Sequence, residues 1–357
     1  MFSSIDNLSE IKRFYILGIG RSGTTLLVNI LNRHSETLAT PESVFIQFFY
    51  ASFKNRTSFS KTDVNAILDF IKVNEKLQPF INWDFNYKYF DALLYPLKIN
   101  YDELINVILL QFIPPEKKGQ NIKVLIDKNP GNSLFGEALF KLNKNSKAII
   151  MIRDYRANIL SRKEKKHWRS TNVIYNAIRW LKFNNALFRL SNKFSNRTLF
   201  IRYEDLVTDG EKTVKKITTF LDIPFSLDLL EPKTKKYKDR IKEYKYLNEK
   251  HQGILNSKID SINMPLYKGR IDKWKTGLPI NEIKHCDVIC SKFGSKFNYL
   301  EYNNSIPSDQ LIKFSLPFIQ GYLSIIKQQV LFRVPYGIKL KRLKQIVKKV
   351  TSKKFTN

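Results

Sequence analysis

The segment Gly18-Ile19-Gly20-Arg21-Ser22-Gly23-Thr24-Thr25 constrains this chain most, because it stands between two runs of different periodicity. Before it, Phe14 to Gly18 (FYILG) is a continuous apolar run too short for a helix. After it, Leu27, Ile30 and Leu31 share one face of a helical stretch from Thr24 to Asn32. A strand, a glycine turn and a helix in that order make a cradle for an oxyanion. Glycine permits the turn, and the backbone N–H groups and the positive end of the helix dipole face outward. Further buried-strand runs are Lys123 to Asp127 (KVLID), Lys147 to Ile152 (KAIIMI) and a weaker Leu199 to Tyr203 (LFIRY). Helical stretches long enough to be crossovers separate them. The expected fold class is therefore α/β: a P-loop-like, three-layer fold with a mostly parallel central sheet flanked by helices.

Charge narrows the partner. The 357 residues carry 61 Lys or Arg and 32 Asp or Glu, a net +29, which favours an anionic ligand or surface without choosing among them. Cys286 and Cys290 are too few for a disulfide framework and lack the second pair or the histidines of a zinc site, so a reducing compartment and no metal are expected. The first dozen residues mix Asp6, Glu10 and Lys12 and do not read as a secretory leader. The longest apolar run, Phe314 to Ile326, holds Pro317 and Gly321 and is too short to span a bilayer. The expectation is a cytoplasmic protein, either soluble or peripheral at the inner face of a membrane.

Several segments stand apart. Residues 43–121 are rich in Phe, Tyr and Trp and read as a mainly helical insertion. Thr208 and Glu211 have capping-box spacing ahead of Val214, Ile217 and Leu221, with Pro224 as the stop. Residues 231–250 are dense in Lys and Glu and read as an exposed helix. From Ile338 onward the chain has eight Lys or Arg and no acid, with Leu340, Leu343, Val347 and Val350 at helical spacing. Such a basic amphipathic helix could lie on an anionic membrane surface, or fray as a solubilising tail. The boundaries expected are an α/β domain at 1–295, including the insertion at 43–121, and a helical appendage with the basic tail at 296–357.

The glycine loop admits three readings. As a nucleotide-hydrolysing P-loop it has the Gly18–Gly23 spacing and Thr25 in the hydroxyl position, but Thr24 occupies the place of the phosphate-reaching lysine. As a dinucleotide fingerprint it needs an acidic residue about 20 positions on, at a strand end. Glu42 has that distance, yet follows Pro41 in a loop-like stretch. The third reading is a loop for a less charged donor, with Arg21 as the cation and threonines plus backbone as hydrogen-bond donors.

On these residues the chain resembles the sulfotransferases that use 3′-phosphoadenosine-5′-phosphosulfate (PAPS). Gly20 to Leu27 (GRSGTTLL) is similar to that family's 5′-phosphosulfate loop in the form found in tyrosylprotein and many bacterial sulfotransferases. Arg153-Asp154-Tyr155-Arg156-Ala157-Asn158-Ile159-Leu160-Ser161 resembles its 3′-phosphate motif, in which an Arg and a Ser eight positions later clasp the phosphate. Arg202 to Leu206 resembles the strand end whose tyrosine, here Tyr203, meets the adenine side. Tyr267 to Lys275, with Lys273, resembles a late basic loop that closes over the nucleotide.

The resemblance implies PAPS as co-substrate, held by Arg21, Ser22, Gly23, Thr24, Thr25, Arg153, Ser161, Tyr203 and Lys273. It makes Glu42 the catalytic base, with Lys128 and Arg21 stabilising the departing bridging oxygen, and it requires no metal. His167 is a second candidate base, because the cytosolic branch uses a histidine; His34 reads as part of the turn closing the first helix. The acceptor expected is a hydroxyl on a small molecule, a carbohydrate or a lipid-linked glycan, with protein tyrosine as the alternative. Two rival classes are a P-loop kinase-like enzyme, which the missing loop lysine disfavours, and a nucleic-acid-binding protein. No groove-reading motif is present, so no nucleic-acid partner is expected.

Overall fold

The computed structural model describes residues 11–40, 42, 44–77, 84–114, 117, 119–164, 171–231, 266–302 and 315–352. His167 and the Lys/Glu-rich stretch beyond residue 231 lie outside them. Five strands form one sheet: β1 (Lys12–Leu17), β2 (Thr37–Ala39), β5 (Val124–Lys128), β6 (Lys147–Ile152) and β7 (Thr198–Arg202), in spatial order β2-β5-β1-β6-β7. Every pairing is parallel, with Phe14 opposite Ile126 on one side and opposite Lys147 on the other. A separate antiparallel pair, β3 (Asp84–Phe85) with β4 (Phe112–Ile113), belongs to the insertion.

The unbroken apolar runs exist because both faces are covered. Phe14, Ile16, Ile126, Ile149 and Met151 pack toward α1 (Thr24–Leu31) and α10 (Gly210–Leu221) through Leu27, Leu31, Val214 and Ile217. The alternate residues Tyr15, Leu17, Leu125 and Ile150 join the opposite layer. That layer includes α2 (Phe45–Phe53), α3 (Lys61–Leu77), α5 (Tyr101–Leu110) and α6 (Gly136–Leu142); the short α4 (Lys88–Asp91) adds Phe90. Alternation with period two thus sorts each strand's side chains between two cores. A third cluster gathers α7 (Tyr155–Lys163), α8 (Val173–Lys193) and α12 (Ile280–Gly294) around the buried Trp180; α11 (Trp274–Gly277) packs on α7 beside them.

The structure differs from the sequence reading at three places. A strand, β2, lies just before Glu42; at three residues it is too short to register as a periodic run. The insertion is mainly helical, and Phe45, Phe49, Phe53, Phe59 and Phe70 are all essentially buried in the core it shares with the sheet. The capping box does not form. Thr208 ends the preceding helix, α9 (Tyr203–Thr208), and its hydroxyl donates to the Glu204 carbonyl at 2.9 Å, leaving Asp209 to start α10.

The basic C-terminal helix, α14 (Tyr336–Ser352), is docked rather than frayed. Leu340 and Leu343 pack against the insertion core. Lys339 donates to the Gln47 carbonyl at 3.3 Å, and Lys344 pairs with Asp69 at 2.9 Å. Ahead of it, α13 (Leu316–Arg333) lies along α8.

Asp127 is a liability in this core. Full burial, opposed by the nearby charges of Arg13 and Lys128, pushes its carboxyl from 3.8 up to about 7, and Asn132 donates to one oxygen at 2.5 Å. A pKa raised on folding contributes stability below the unfolded value and loses it as pH rises through the folded value. Between pH 4 and 7 the native protein should therefore lose stability, by at most about 4 kcal/mol at 1.36 kcal/mol per unit. Asp127→Asn keeps an acceptor for Asn132 and should flatten that slope; thermal unfolding at pH 5 and pH 8 checks it.

Candidate active site

The carboxyl ends of the five strands lie side by side, and each supplies a chemically distinct group. In spatial order these are Glu42, three residues beyond β2; Lys128 at the end of β5; the glycine loop after β1; Arg153 after β6; and Tyr203 after β7. Open α/β sheets bind ligands at this edge.

Backbone sterics dictate the loop's glycines. Gly18 has φ +148°, and a Cβ there would sit 2.6 Å from the Met151 carbonyl oxygen, so β1 and β6 approach as closely as they do only with glycine. Gly23 has φ +88°, and its Cβ would meet the Tyr203 ring at 2.6 Å. Gly23 also caps α1 without any side-chain acceptor, leaving the first N–H groups of that helix available to a ligand. Arg21 itself adopts φ +74°, in the left-handed region that non-glycine residues rarely enter. Such a strained backbone persists only where neighbours over-determine it.

Those neighbours come from α7. The Asn158 amide donates to the Gly20 carbonyl at 3.1 Å and to the Ser22 hydroxyl at 3.0 Å. Arg162, one turn on, donates to the same carbonyl at 2.6 Å and to the Asn158 amide oxygen at 2.9 Å. Arg153 donates to the Arg21 carbonyl at 3.2 Å, and Arg21 Nε returns to the Ser161 hydroxyl at 3.1 Å. From the β5 side, the Ser133 hydroxyl accepts from Gly18 N–H at 2.8 Å and donates to the Gly18 carbonyl at 3.2 Å. The loop's carbonyls are thus drawn into the protein.

The arginines lie in a low-dielectric, positively charged pocket. Burial, then the charges of Arg153 and Arg270, pull the Arg21 guanidinium below its ordinary value. Arg153 is lowered chiefly by burial. Its terminal nitrogens donate to the carbonyls of Arg21 and Arg270, its plane lies 4.4 Å from the Tyr203 ring centroid, and its buried Nε has no partner. Arg162 falls to about 9, through burial first and then the charges of Arg179 and Arg21. A buried donor without an acceptor, among cations that depress one another, fits an anionic ligand carrying more than one negative group.

On the other flank, Lys128 Nζ lies 2.6 Å from Glu42 Oε2 and 3.5 Å from Thr25 Oγ1. Lys128 is buried, whereas the Glu42 side chain is 38% exposed, so the pair reaches from the sheet edge into solvent.

Of the residues singled out from sequence, Glu42, Lys128, Arg21, Thr25, Arg153, Ser161 and Tyr203 line this edge. Ser22 is fully buried, its hydroxyl engaged by Asn158, so it braces the loop; Thr24 is buried at the helix start. Lys273 is not brought in. Its amine pairs with Glu164 at 2.6 Å on the exposed surface, while the backbone of the same late segment, at the Arg270 carbonyl, meets Arg153. His34 accepts from Glu36 N–H at 3.2 Å in the turn after α1. Sequence reasoning missed Asn158, Arg162, Arg270 and Ser133. The signal available was polar residues at i, i+4 on the inner face of α7, where apolar ones would be expected.

A parallel sheet carrying a glycine-loop anion cradle and a second arginine clamp two strand ends from the β5 lysine defines an α/β protein with an anion-binding site at its carboxyl edge. A profile of the Sulfotransferase family matches residues 13–227, and the chain belongs to that family. It is a sulfotransferase. Protein-tyrosine sulfotransferase 2 of Gallus gallus is 24% identical over 298 residues, covering 80% of this chain and 70% of that protein. Protein-tyrosine sulfotransferase 1 of Danio rerio is 22% identical over 284 residues, covering 77% and 69%. Among solved structures, the sulfotransferase domain from the curacin biosynthetic pathway superposes with a TM-score of 0.51 at 20% identity, over 83% of this chain and 99% of that one, and shows the shared fold.

Asn158→Ala should free the Ser22 hydroxyl, take the acceptor from Arg162 Nε and leave the Gly20 carbonyl to Arg162 alone. Leaving buried partners unsatisfied costs about 1–3 kcal/mol, and a loop freed to turn its carbonyls outward should bind 3′-phosphoadenosine 5′-phosphate at least about tenfold more weakly. Titration calorimetry, with thermal unfolding alongside, separates the two effects.

Proposed function

We propose that the chain transfers the sulfuryl group of PAPS to an acceptor hydroxyl, with Glu42 as general base and Lys128 and Arg21 stabilising charge on the donor. The observation that carries this reading is the order of groups along the sheet edge. Arg153, Ser161 and Tyr203 stand on one side of the loop, and Lys128 and Glu42 on the other. A donor with its nucleotide on the arginine side points its transferable group across the loop toward the glutamate.

Arg153 and Ser161 would hold the 3′-phosphate, and Tyr203 would stand on the adenine side. The N–H groups of the loop and α1, with Arg21 and Thr25, would hold the 5′-phosphosulfate. PAPS, when bound, supplies an activated sulfuryl group. By analogy with phosphoryl transfer, the protein's contribution is positioning and electrostatic stabilisation in a water-poor site. Glu42 accepts the acceptor's hydroxyl proton, and its partly exposed position leaves it accessible to an acceptor arriving from solvent. Lys128 sits at hydrogen-bond distance from both Glu42 and Thr25, so one ammonium can orient the base and meet negative charge developing at the loop.

A carbohydrate or lipid-linked glycan hydroxyl is the acceptor proposed from sequence. The tyrosine phenol fits the same geometry, and the relatives named above are called protein-tyrosine sulfotransferases. Side-by-side transfer of labelled sulfate to glycan and to tyrosine peptide decides between them.

Glu42→Gln should lower turnover by about 10²- to 10⁴-fold, the range for a lost general base, with unchanged affinity for 3′-phosphoadenosine 5′-phosphate. Native affinity should fall sharply for the 3′-dephosphorylated analogue and for ATP. Equal affinity for all three nucleotides would refute the donor assignment, and retained turnover in the glutamine variant would refute the base.

A further inference from the structure

The longer exposed apolar row lies on α13 rather than on the basic tail that the sequence singled out, where Ile338 and Ile346 are the exposed apolar residues among those described. Leu316, Ile319, Leu323, Ile326 and Val330 follow one another at alternating spacings of three and four, which places them in one stripe about 21 Å long. All five are exposed; Leu316, Leu323 and Val330 are 65%, 56% and 55% accessible. A contiguous row of this kind is uncommon on a soluble surface and marks a contact face.

The helix cannot turn the row inward, because its opposite side is fixed. Gly321 lies so close to Ile178 that a Cβ would come within 3.0 Å of that side chain. Ile325 is buried, Ser324 accepts from Arg179 at 2.7 Å, and Phe332 stacks on Phe135 with centroids 4.0 Å apart. The apolar side of α14 is meanwhile spent on the insertion core, through Leu340 and Leu343.

Charge selects the occupant. Residues 315–352 contain eight Lys or Arg and no Asp or Glu. Lys327 lies within the stripe, Arg333 closes α13, and Lys341 and Arg342 are exposed on α14 beside the exposed Ile338. Two copies of this face brought together would oppose like charges with no acid to relieve them. An anionic bilayer satisfies both features at once. The leucine and isoleucine side chains enter the headgroup boundary, while the long basic side chains reach its phosphates. Among the described residues no helix is long and apolar enough to cross a membrane, so the helix would lie on the surface.

We propose that α13, supported by the basic outer side of α14, is a fixed platform that seats this protein on an anionic lipid surface. The inference is independent of the acceptor and of the base. It is tested on the full chain by co-sedimentation with vesicles of phosphatidylcholine alone and with about 30% phosphatidylglycerol, at low and high salt.

The native protein should partition onto the anionic vesicles at least about tenfold better than onto neutral ones, and lose that preference in high salt. Leu323→Glu with Ile326→Glu should reduce binding about tenfold or more, while Leu94→Glu, at an exposed leucine of the insertion, should not. Should the double glutamate variant misfold, judged by its unfolding transition, Leu316→Ser with Leu323→Ser serves in its place and should weaken binding in the same direction. Equal partitioning of native and stripe-variant protein would overturn the proposal, as would equal binding to neutral and anionic vesicles. A concentration-dependent dimer that the stripe variant abolishes would overturn it too, and would assign the face to a second copy.

Discussion

The site depends on holding a glycine loop with its carbonyls inward while two arginines stay buried beside it. Arg21 and Arg153 direct their hydrogen bonds to neutral oxygens: the Ser161 hydroxyl and the carbonyls of Arg21 and Arg270. Removing guanidinium groups from water without neutralising them is costly, and it is why their proton affinities fall. Arg156, in the first turn of α7, shows the alternative. Burial would lower its pKa as well, but Asp154 at 2.8 Å and Asp287 at 3.5 Å outweigh it, and the guanidinium also stacks 3.9 Å from the Trp274 ring centroid. Arg156 is a structural residue that ties α7 to the late segment. Arg21 and Arg153 keep buried charge that no hydrogen-bonded carboxylate neutralises, as the proposed anionic donor requires, and the remainder of the fold supports that cost.

That cost is met through shared elements. α7 carries Ser161 and, through Asn158 and Arg162, grips the loop that follows β1. Trp180 of α8 donates to the Arg153 carbonyl at 3.0 Å, and Glu204 of α9 accepts from Asp154 N–H at 3.0 Å, so the end of β6 is fastened from two sides. Glu204 is itself engaged by the Tyr299 hydroxyl at 2.7 Å. The two anion clamps are therefore one mechanical unit. A ligand group that orders one of them restrains the other, which favours a molecule bearing negative charge at both ends.

Contiguous signals were legible in the sequence. The loop occupies eight successive residues between an apolar strand and a helix, so local spacing was enough to place it, while Arg153 to Ser161, nine residues after another apolar strand, stood out by resemblance to a family motif. Signals that needed the third dimension were not. The ion pair of Lys128 with Glu42 joins residues 86 apart, across a helical insertion whose length says nothing about where it returns. β2 is too short for periodicity to reveal. Asn158 reads as an ordinary helical polar residue until the loop carbonyl it serves is known. Lys273 was named through a family resemblance, and here the backbone of its segment approaches Arg153 while the amine finds Glu164. The basic tail misled because an amphipathic pattern states that an apolar side will be covered, but not whether a core or a membrane covers it.

The same reasoning explains why an acid–base pair belongs on the β2–β5 side. Among the described residues β2 is an edge strand, paired only with β5, and Glu42 three residues beyond it is part-exposed. Lys128 ends the inner strand β5, which pairs with β1 as far as Lys128 itself and with β2 as far as Ile126, so it stays in the plane of the sheet. For the transfer proposed above, a fixed ammonium joined to a more exposed carboxylate would supply a rigid charge beside the donor and a base that an outside acceptor can reach.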